Sequence, residues 1–217
     1  HLLTIANVLA LASAGAATRP GCRIALTRFD KDVALDVPTA PVDLHLTSAL
    51  RSRLGLSERA ERMVFRPDGV LVVADAEPGL APTPLLLEVE TGRKETGFEE
   101  LACAATLRAY AARAAMVVPT MLAAAGIPEA RPFRLLVVAA TPALEVRLAT
   151  GVGRALDALR PRDEAVVLLT SLDRLLPTIV PASRAERADA LRTRARAFFA
   201  PVWRTGRAQT RIPLFPG

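Results

Sequence analysis

The sequence predicts an α/β domain with a mixed central β-sheet flanked by helices. In the second half of the chain, apolar runs of strand length alternate with segments of helix length. In the first half, two apolar runs are separated by a Pro/Gly-rich turn at residues 74–83, so they are expected to pair directly. The 217 residues are 51% hydrophobic, which is enough for one large core. A sheet that is antiparallel on one side and parallel on the other accounts for both halves.

The elements of the first half follow from apolar runs and the breaks between them. Residues 2–16 are apolar and lack a positively charged start, so a buried helix is preferred over a signal peptide. The Arg-Pro-Gly break at residues 19–21 separates this helix from a strand over 23–29. Residues 30–41 are polar and contain Pro, and the apolar spacing over 48–62 predicts a second helix.

The remaining elements comprise the hairpin and the alternating second half. A segment that is apolar on most sides predicts a long helix buried against the sheet after the hairpin. The expected order is strand 63–73, strand 84–91, helix 95–116, strand 133–140, helix 143–159 and strand 164–169.

The positive charge is concentrated at the C-terminal end. The formal net charge is +6, and residues 183–217 contribute all of it, because eight arginines there face only two acidic residues. We therefore divide the chain into a core over residues 1–182 and a basic helix and tail over 183–217, packed on the same domain. The arginines are Arg184, Arg187, Arg192, Arg194, Arg196, Arg204, Arg207 and Arg211.

An amphipathic helix in this tail would display arginines on its outer face. Such a face can neutralise phosphates, and all the arginines above except Arg211 are candidate nucleic-acid-binding residues. The alternative is a solvated helix surface that keeps the protein soluble. Phe198, Phe199 and Trp203 lie among these arginines and could stack on bases, but packing onto the core is the preferred interpretation.

Three acidic residues are expected to converge on the hairpin. Glu88 and Glu90 are two positions apart in one strand and therefore share a face, whereas Val89 points to the other. If the strands pair symmetrically about Pro78, Asp68 lies almost opposite Glu88. A Pro just before Asp68 disfavours a regular ladder and predicts a bend there.

Carboxylates arranged in this way suit a hard cation such as Mg²⁺ or Mn²⁺. Asp68 and Glu88 are the expected ligands, and Glu90 is expected to act as a base or as a further ligand. Lys94, just beyond the strand, could stabilise charge that develops on a phosphate. The alternative is an exposed acidic hairpin whose charges pair with neighbouring basic residues.

These residues resemble the PD-(D/E)xK nuclease superfamily, whose core runs helix, three strands, helix, strand. Pro67-Asp68 resembles the Pro-Asp that enters the second strand, and Glu88-Val89-Glu90 resembles the Glu-x-Lys of the third, with Glu at the Lys position. The chain is more similar to the replication-relaxation family of plasmid and mobile-element proteins, through Arg66-Pro67-Asp68, Glu88-Val89-Glu90-Thr91-Gly92 and a His-led apolar helix at residues 1–7.

The resemblance implies a restriction-endonuclease-like core and a nuclease-like domain that acts on DNA in plasmid or mobile-element replication or mobilisation. It also implies a winged-helix domain before His1. A catalytically inactive DNA-binding or replication-accessory domain and a protein-interaction module are the alternatives. Cys22 and Cys103 show no disulfide or zinc spacing, so a cytoplasmic setting is expected.

Overall fold

Five strands form the central sheet in the computed structural model. The structure describes residues 2–29, 35–38, 62–65, 67–74, 81–92, 114, 118–127, 129–157, 167–176, 183–206 and 208–215. In order across the sheet, the strands are β1 (Arg23–Phe29), β4 (Gly69–Ala74), β5 (Thr83–Glu90), β6 (Arg134–Ala139) and β7 (Val167–Ser171). The β1–β4 and β4–β5 pairs are antiparallel, and the β5–β6 and β6–β7 pairs are parallel. The predicted mixed sheet is thus confirmed.

Helices flank the sheet, and a small second sheet precedes β4. The second sheet pairs β2 (Leu35–Pro38) with β3 (Arg62–Phe65) in antiparallel fashion. Residues 118–124 are helical, and the other helices are α1 (Leu2–Ala17), α2 (Pro142–Asp157), α3 (Leu172–Leu175) and α4 (Arg184–Ala197). The chain therefore has the α/β architecture that the sequence predicts. None of the helices in these described ranges is long and apolar enough to cross a membrane.

The single strand predicted over 63–73 is wrong, because the chain divides it between two sheets. Residues 62–65 pair with β2, whereas residues 69–74 join the central sheet between β1 and β5. Pro67 lies between the two pieces and cannot donate to a ladder, so the break falls beside it. The polar stretch over 30–41, for which no element is predicted, contains a strand, β2, which pairs with a segment distant in sequence.

Other predicted boundaries differ by less. The first predicted strand matches β1, and the last one, predicted over 164–169, has its described residues at 167–171. Thr170 and Ser171 belong to this strand although both are polar, and both are buried. The helix predicted over 48–62 lies outside the described residues except for Arg62, which begins β3. Most of the helix predicted over 95–116 is also outside them, and within it Ala114 is helical and buried.

Both faces of the sheet are covered by apolar side chains. One face packs against residues 118–124 and α2, and the opposite face packs against α1, α3 and the region around the end of α4. Alternation along the strands assigns side chains to the two faces. The α2 face includes Val70, Val72, Leu86, Val137 and Ala139, and the α1 face includes Leu71, Leu85, Leu87, Val89 and Val138.

The C-terminal tail packs along the outer side of β7. The main chains of Leu169 and Arg204 exchange hydrogen bonds of 2.8 and 2.9 Å, and Trp203 pairs in turn with Ile212. Trp203 is fully buried and donates from Nε1 to the Phe198 carbonyl oxygen at 2.7 Å. Phe198 and Phe199 are also buried, so the prediction that these aromatic residues pack onto the core is confirmed. The tail protects the edge of β7 from pairing with other chains.

Candidate functional site

Asp68 lies at the start of β4, immediately after the break at Pro67. The register pairs Gly69 with Leu87, and continuing it by one residue aligns Asp68 with Glu88. This is the symmetric pairing that the sequence predicts. Asp68 Oδ2 accepts a hydrogen bond from the Val89 amide at 2.7 Å, so the carboxylate lies against the end of β5.

The contact between Asp68 and Val89 follows from the end of the β4–β5 ladder. Amides of alternate residues in β5 point toward β4, and Val89 lies two residues past Leu87, which pairs with the first residue of β4. Here the Asp68 side chain provides the acceptor. A hydrogen bond to an ionised acceptor is shorter and stronger than one between neutral groups. The bond therefore fixes Asp68 beside the two glutamates of β5.

Glu88 and Glu90 share one face of β5, as the alternation predicts. They lie on the face that carries Leu86 and packs against α2, whereas Val89 points to the α1 face and is 5% exposed. Both glutamates are half-buried. Glu90 Oε1 accepts a hydrogen bond from the Gly92 amide at 3.0 Å, and Gly92 has a φ of +72°, which permits the tight turn after β5.

The donor chemistry at this end of β5 fits a hard cation, but three ligands are not assembled. Within the described ranges, no group of three His, Cys, Asp or Glu side chains is arranged to hold a metal ion. Mg²⁺ commonly uses one or two protein carboxylates and completes its octahedron with water and phosphate. Asp68 and Glu88 provide oxygen ligands of this kind at aligned positions. Lys94, the expected electrostatic helper, lies outside the described residues.

The predicted nucleic-acid-binding arginines differ in exposure. Arg192 and Arg196 are exposed on α4, whereas Arg194 is half-buried and lines a groove between α1 and α4. Arg204 is half-buried, and its Nε is fully buried without a hydrogen-bond partner in the described part of the chain. Arg184 and Arg187 lie in α4, where only their backbone is described, and Arg207 lies outside the described residues.

The sequence analysis missed a buried acidic residue near the same end of the sheet. Glu145, in the first turn of α2, is 1% exposed. Its Oε1 accepts a hydrogen bond from Arg211 Nη2 at 2.5 Å, and its Oε2 lies 3.5 Å from Arg174 Nε. Arg211 also donates to the Val202 carbonyl oxygen. A buried carboxylate needs such partners because removing a charge from water is costly.

A sequence signal for Glu145 exists in the spacing of its neighbours. Leu144, Leu148, Ala149 and Val152 are the buried residues around it, and positions 145, 149 and 152 lie on one stripe of the helix. An acidic residue at a core position of an otherwise apolar stripe predicts a buried ion pair. The basic partners come from α3 and the tail, which sequence spacing does not bring together.

The Glu145 cluster places positive charge at the end of the sheet where β5, β6 and β7 finish. Glu145 carries one negative charge and the two arginines carry one positive charge each, so the cluster has a net charge of +1. Arg211 is the more buried arginine, with 21% of its side chain exposed, against 43% for Arg174. The surplus charge therefore lies nearer to solvent at Arg174.

No protein-family model, curated protein sequence or solved structure matches this chain.

Proposed function

We propose that this chain is a Mg²⁺-dependent DNA-processing domain with a restriction-endonuclease-like core, acting in plasmid or mobile-element replication or mobilisation. The element order supports the proposed core: α1 is followed by the antiparallel strands β1, β4 and β5, and β6 then pairs in parallel with β5. Pro67-Asp68 precedes the second of these central strands, and Glu88-Val89-Glu90 ends the third. These are the positions that the resemblance assigns to the acidic motif.

The hydrogen bond from the Val89 amide to Asp68 is the observation that carries the proposal. It joins the two halves of the motif, which are 21 residues apart in the chain. Asp68 and Glu88 would hold the cation, with Glu90 as a base or further ligand and Lys94 as the electrostatic helper. When bound, the cation would activate water and offset the charge on a phosphate. The protein residues would orient the cation and phosphate and accept a proton.

Incubation of supercoiled plasmid with the protein and Mg²⁺ or Mn²⁺ tests this function. Wild type is expected to nick or linearise the plasmid, and Glu88→Gln and Asp68→Asn are expected to lower the rate by roughly 100-fold or more. Glu129→Gln makes the same chemical change as Glu88→Gln at an exposed position elsewhere and is expected to keep the wild-type rate. If wild type leaves the plasmid as intact as Glu88→Gln does, the catalytic function is rejected.

A non-catalytic DNA-binding domain is the second candidate, and a specific observation favours it. Asp68 and Glu90 both use a carboxylate oxygen to accept from main-chain amides, and a three-residue metal group is absent from the described residues. Such a domain would bind DNA with an affinity that falls steeply as salt rises, without cutting it. Salt-independent binding would count against this candidate, and an absence of DNA binding would favour a protein-interaction module.

A further inference from the structure

We propose that Arg174 contacts a backbone phosphate of DNA bound beside the acidic end of β5, an inference that rests on the proposed function. The sheet register aligns Glu90 with Ala139 and Ala139 with Ser171, so β5, β6 and β7 end at the same edge. Arg174 lies in α3, directly after β7. It is therefore a cation at the edge of the sheet that carries Glu88 and Glu90.

Although α3 packs on the α1 face of the sheet, the Arg174 side chain contacts a residue of α2, on the side of the glutamates. Its partner Glu145 belongs to α2, which packs on the face that carries Leu86, Glu88 and Glu90. The turn after β5 reaches the beginning of this helix, because a Cβ built on Gly92 would lie 3.4 Å from Leu144 Cδ2. The residue after Leu144 is Glu145. The turn after β5 and the Arg174 guanidinium thus both lie near the first turn of α2.

The expected separation suits a nucleic-acid backbone. The ends of β5 and β7 are two strands apart, which is about 10 Å because neighbouring strands are about 4.8 Å apart, and Arg174 lies three residues beyond the end of β7. Successive phosphates of one DNA strand are about 3.4 Å apart along the helix axis. A strand with one phosphate at Asp68 and Glu88 would therefore bring a phosphate a few nucleotides away near Arg174.

The buried carboxylate explains how Arg174 is held while its charge remains available. Glu145 Oε1 is bonded to Arg211, and Oε2 has no hydrogen-bond partner in the described residues, so the Arg174 guanidinium at 3.5 Å is its nearest counter-charge. Arg174 makes this approach through Nε. A guanidinium donates in a fork that matches two phosphate oxygens. Glu145 is thus a positioning residue for Arg174.

Fluorescence anisotropy with a labelled DNA duplex tests the proposal, in EDTA so that the DNA is not cut. The binding constant is measured between 50 and 200 mM salt for wild type, Arg174→Gln, Arg174→Lys and Arg154→Gln. Arg154 is an exposed arginine in the last turn of α2, at the other end of that helix, and is the matched control. Unfolding curves establish that each variant is folded.

Arg174→Gln is expected to weaken binding several-fold and to reduce the slope of log K against log salt by about 1. Arg174→Lys is expected to keep the slope but bind less tightly, because lysine lacks the two-pronged geometry. Arg154→Gln is expected to behave as wild type. If wild type binds and Arg174→Gln matches Arg154→Gln in slope and affinity, Arg174 has no such role and the proposed function stands. If wild type binds DNA neither in EDTA nor with Mg²⁺, both proposals are rejected.

Discussion

The Asp68 carboxylate accepts a hydrogen bond from the Val89 amide at 2.7 Å, across the end of the β4–β5 ladder. The bond has a structural consequence as well as a functional one. It satisfies a main-chain donor of β5 beyond the last paired residue of β4, and it holds one carboxylate beside the main chain that links Glu88 and Glu90. A substitution at Asp68 that keeps a hydrogen-bond acceptor but removes the negative charge can therefore distinguish the structural role of the carboxylate from its functional role.

Asp68→Ala is expected to lower the free energy of unfolding by about 2 kcal/mol, because the Val89 amide loses an acceptor at a partly buried position. Asp68→Asn keeps an acceptor oxygen and is expected to retain most of that stability while losing the charge. Urea unfolding monitored by circular dichroism measures both. Equal losses for the two variants would show that the negative charge, and not the acceptor, stabilises this end of the sheet.

Cation binding at the acidic end of β5 is expected to stabilise the folded state. At a Mg²⁺ concentration ten times the dissociation constant, the stabilisation is about 1.4 kcal/mol, measured as a rise in melting temperature. Glu88→Gln is expected to abolish this rise, since it removes a ligand charge. Glu129→Gln, at an exposed position before β6, is the control and is expected to keep it. A rise that survives in Glu88→Gln would locate the cation elsewhere.

Within the Glu145 cluster, neutralising Arg211 and neutralising Glu145 are expected to lower stability by different amounts. Arg211→Gln leaves a 1% exposed carboxylate with only the longer Arg174 contact among the described residues and is expected to cost about 3 kcal/mol. Glu145→Gln is expected to cost less, because Arg211 is 21% exposed and can still donate to the Val202 carbonyl oxygen. Chemical denaturation of both variants and the double variant measures the difference. A larger loss for Glu145→Gln would contradict this explanation.

Close packing between α1 and α4 is expected to make Gly15 sensitive to substitution. A Cβ at Gly15 would overlap the Ala195 carbonyl oxygen and approach Phe199 Cδ2 to 3.0 Å. Gly15→Ala is therefore expected to destabilise the protein by about 2 kcal/mol, although alanine favours a helix by about 1 kcal/mol over glycine. Ser13→Ala, at an exposed position on the same helix, is expected to change stability by less than about 0.5 kcal/mol in the same thermal unfolding measurement.

The hairpin and its register could be predicted because the information is local. Two apolar runs and one Pro/Gly-rich turn suffice to align Asp68 with Glu88, and the structure has that register. The division at Pro67 was only partly predicted, since the sequence indicates a bend but not that residues 62–65 pair with β2. That pairing depends on a segment more than 20 residues away, which no local pattern identifies.

The Glu145 cluster could not be predicted for a related reason. Arg211 is 66 residues from Glu145, and its position in a basic tail suggests an exposed residue. Arg192 and Arg211 belong to the same basic segment, yet Arg192 is exposed whereas Arg211 neutralises a buried charge. Charge counting gives the net balance of a segment but does not distinguish solvent-facing charges from charges that the fold itself requires.

The single tryptophan allows a direct test of whether the tail aromatics contact bases. Trp203 is fully buried, donates to the Phe198 carbonyl oxygen and packs edge to face on the Phe198 ring at 5.5 Å. Its fluorescence is therefore expected to be blue-shifted, poorly quenched by iodide and unchanged when single-stranded or duplex DNA is added. Stacking on a base would instead quench the emission. Trp203→Phe, which removes the Nε1 donor and leaves the Phe198 carbonyl oxygen without that partner, is expected to cost about 2 kcal/mol in stability without altering the salt dependence of DNA binding. A DNA-dependent loss of emission at saturating protein would show that the tail opens on binding and that Trp203 takes part in recognition.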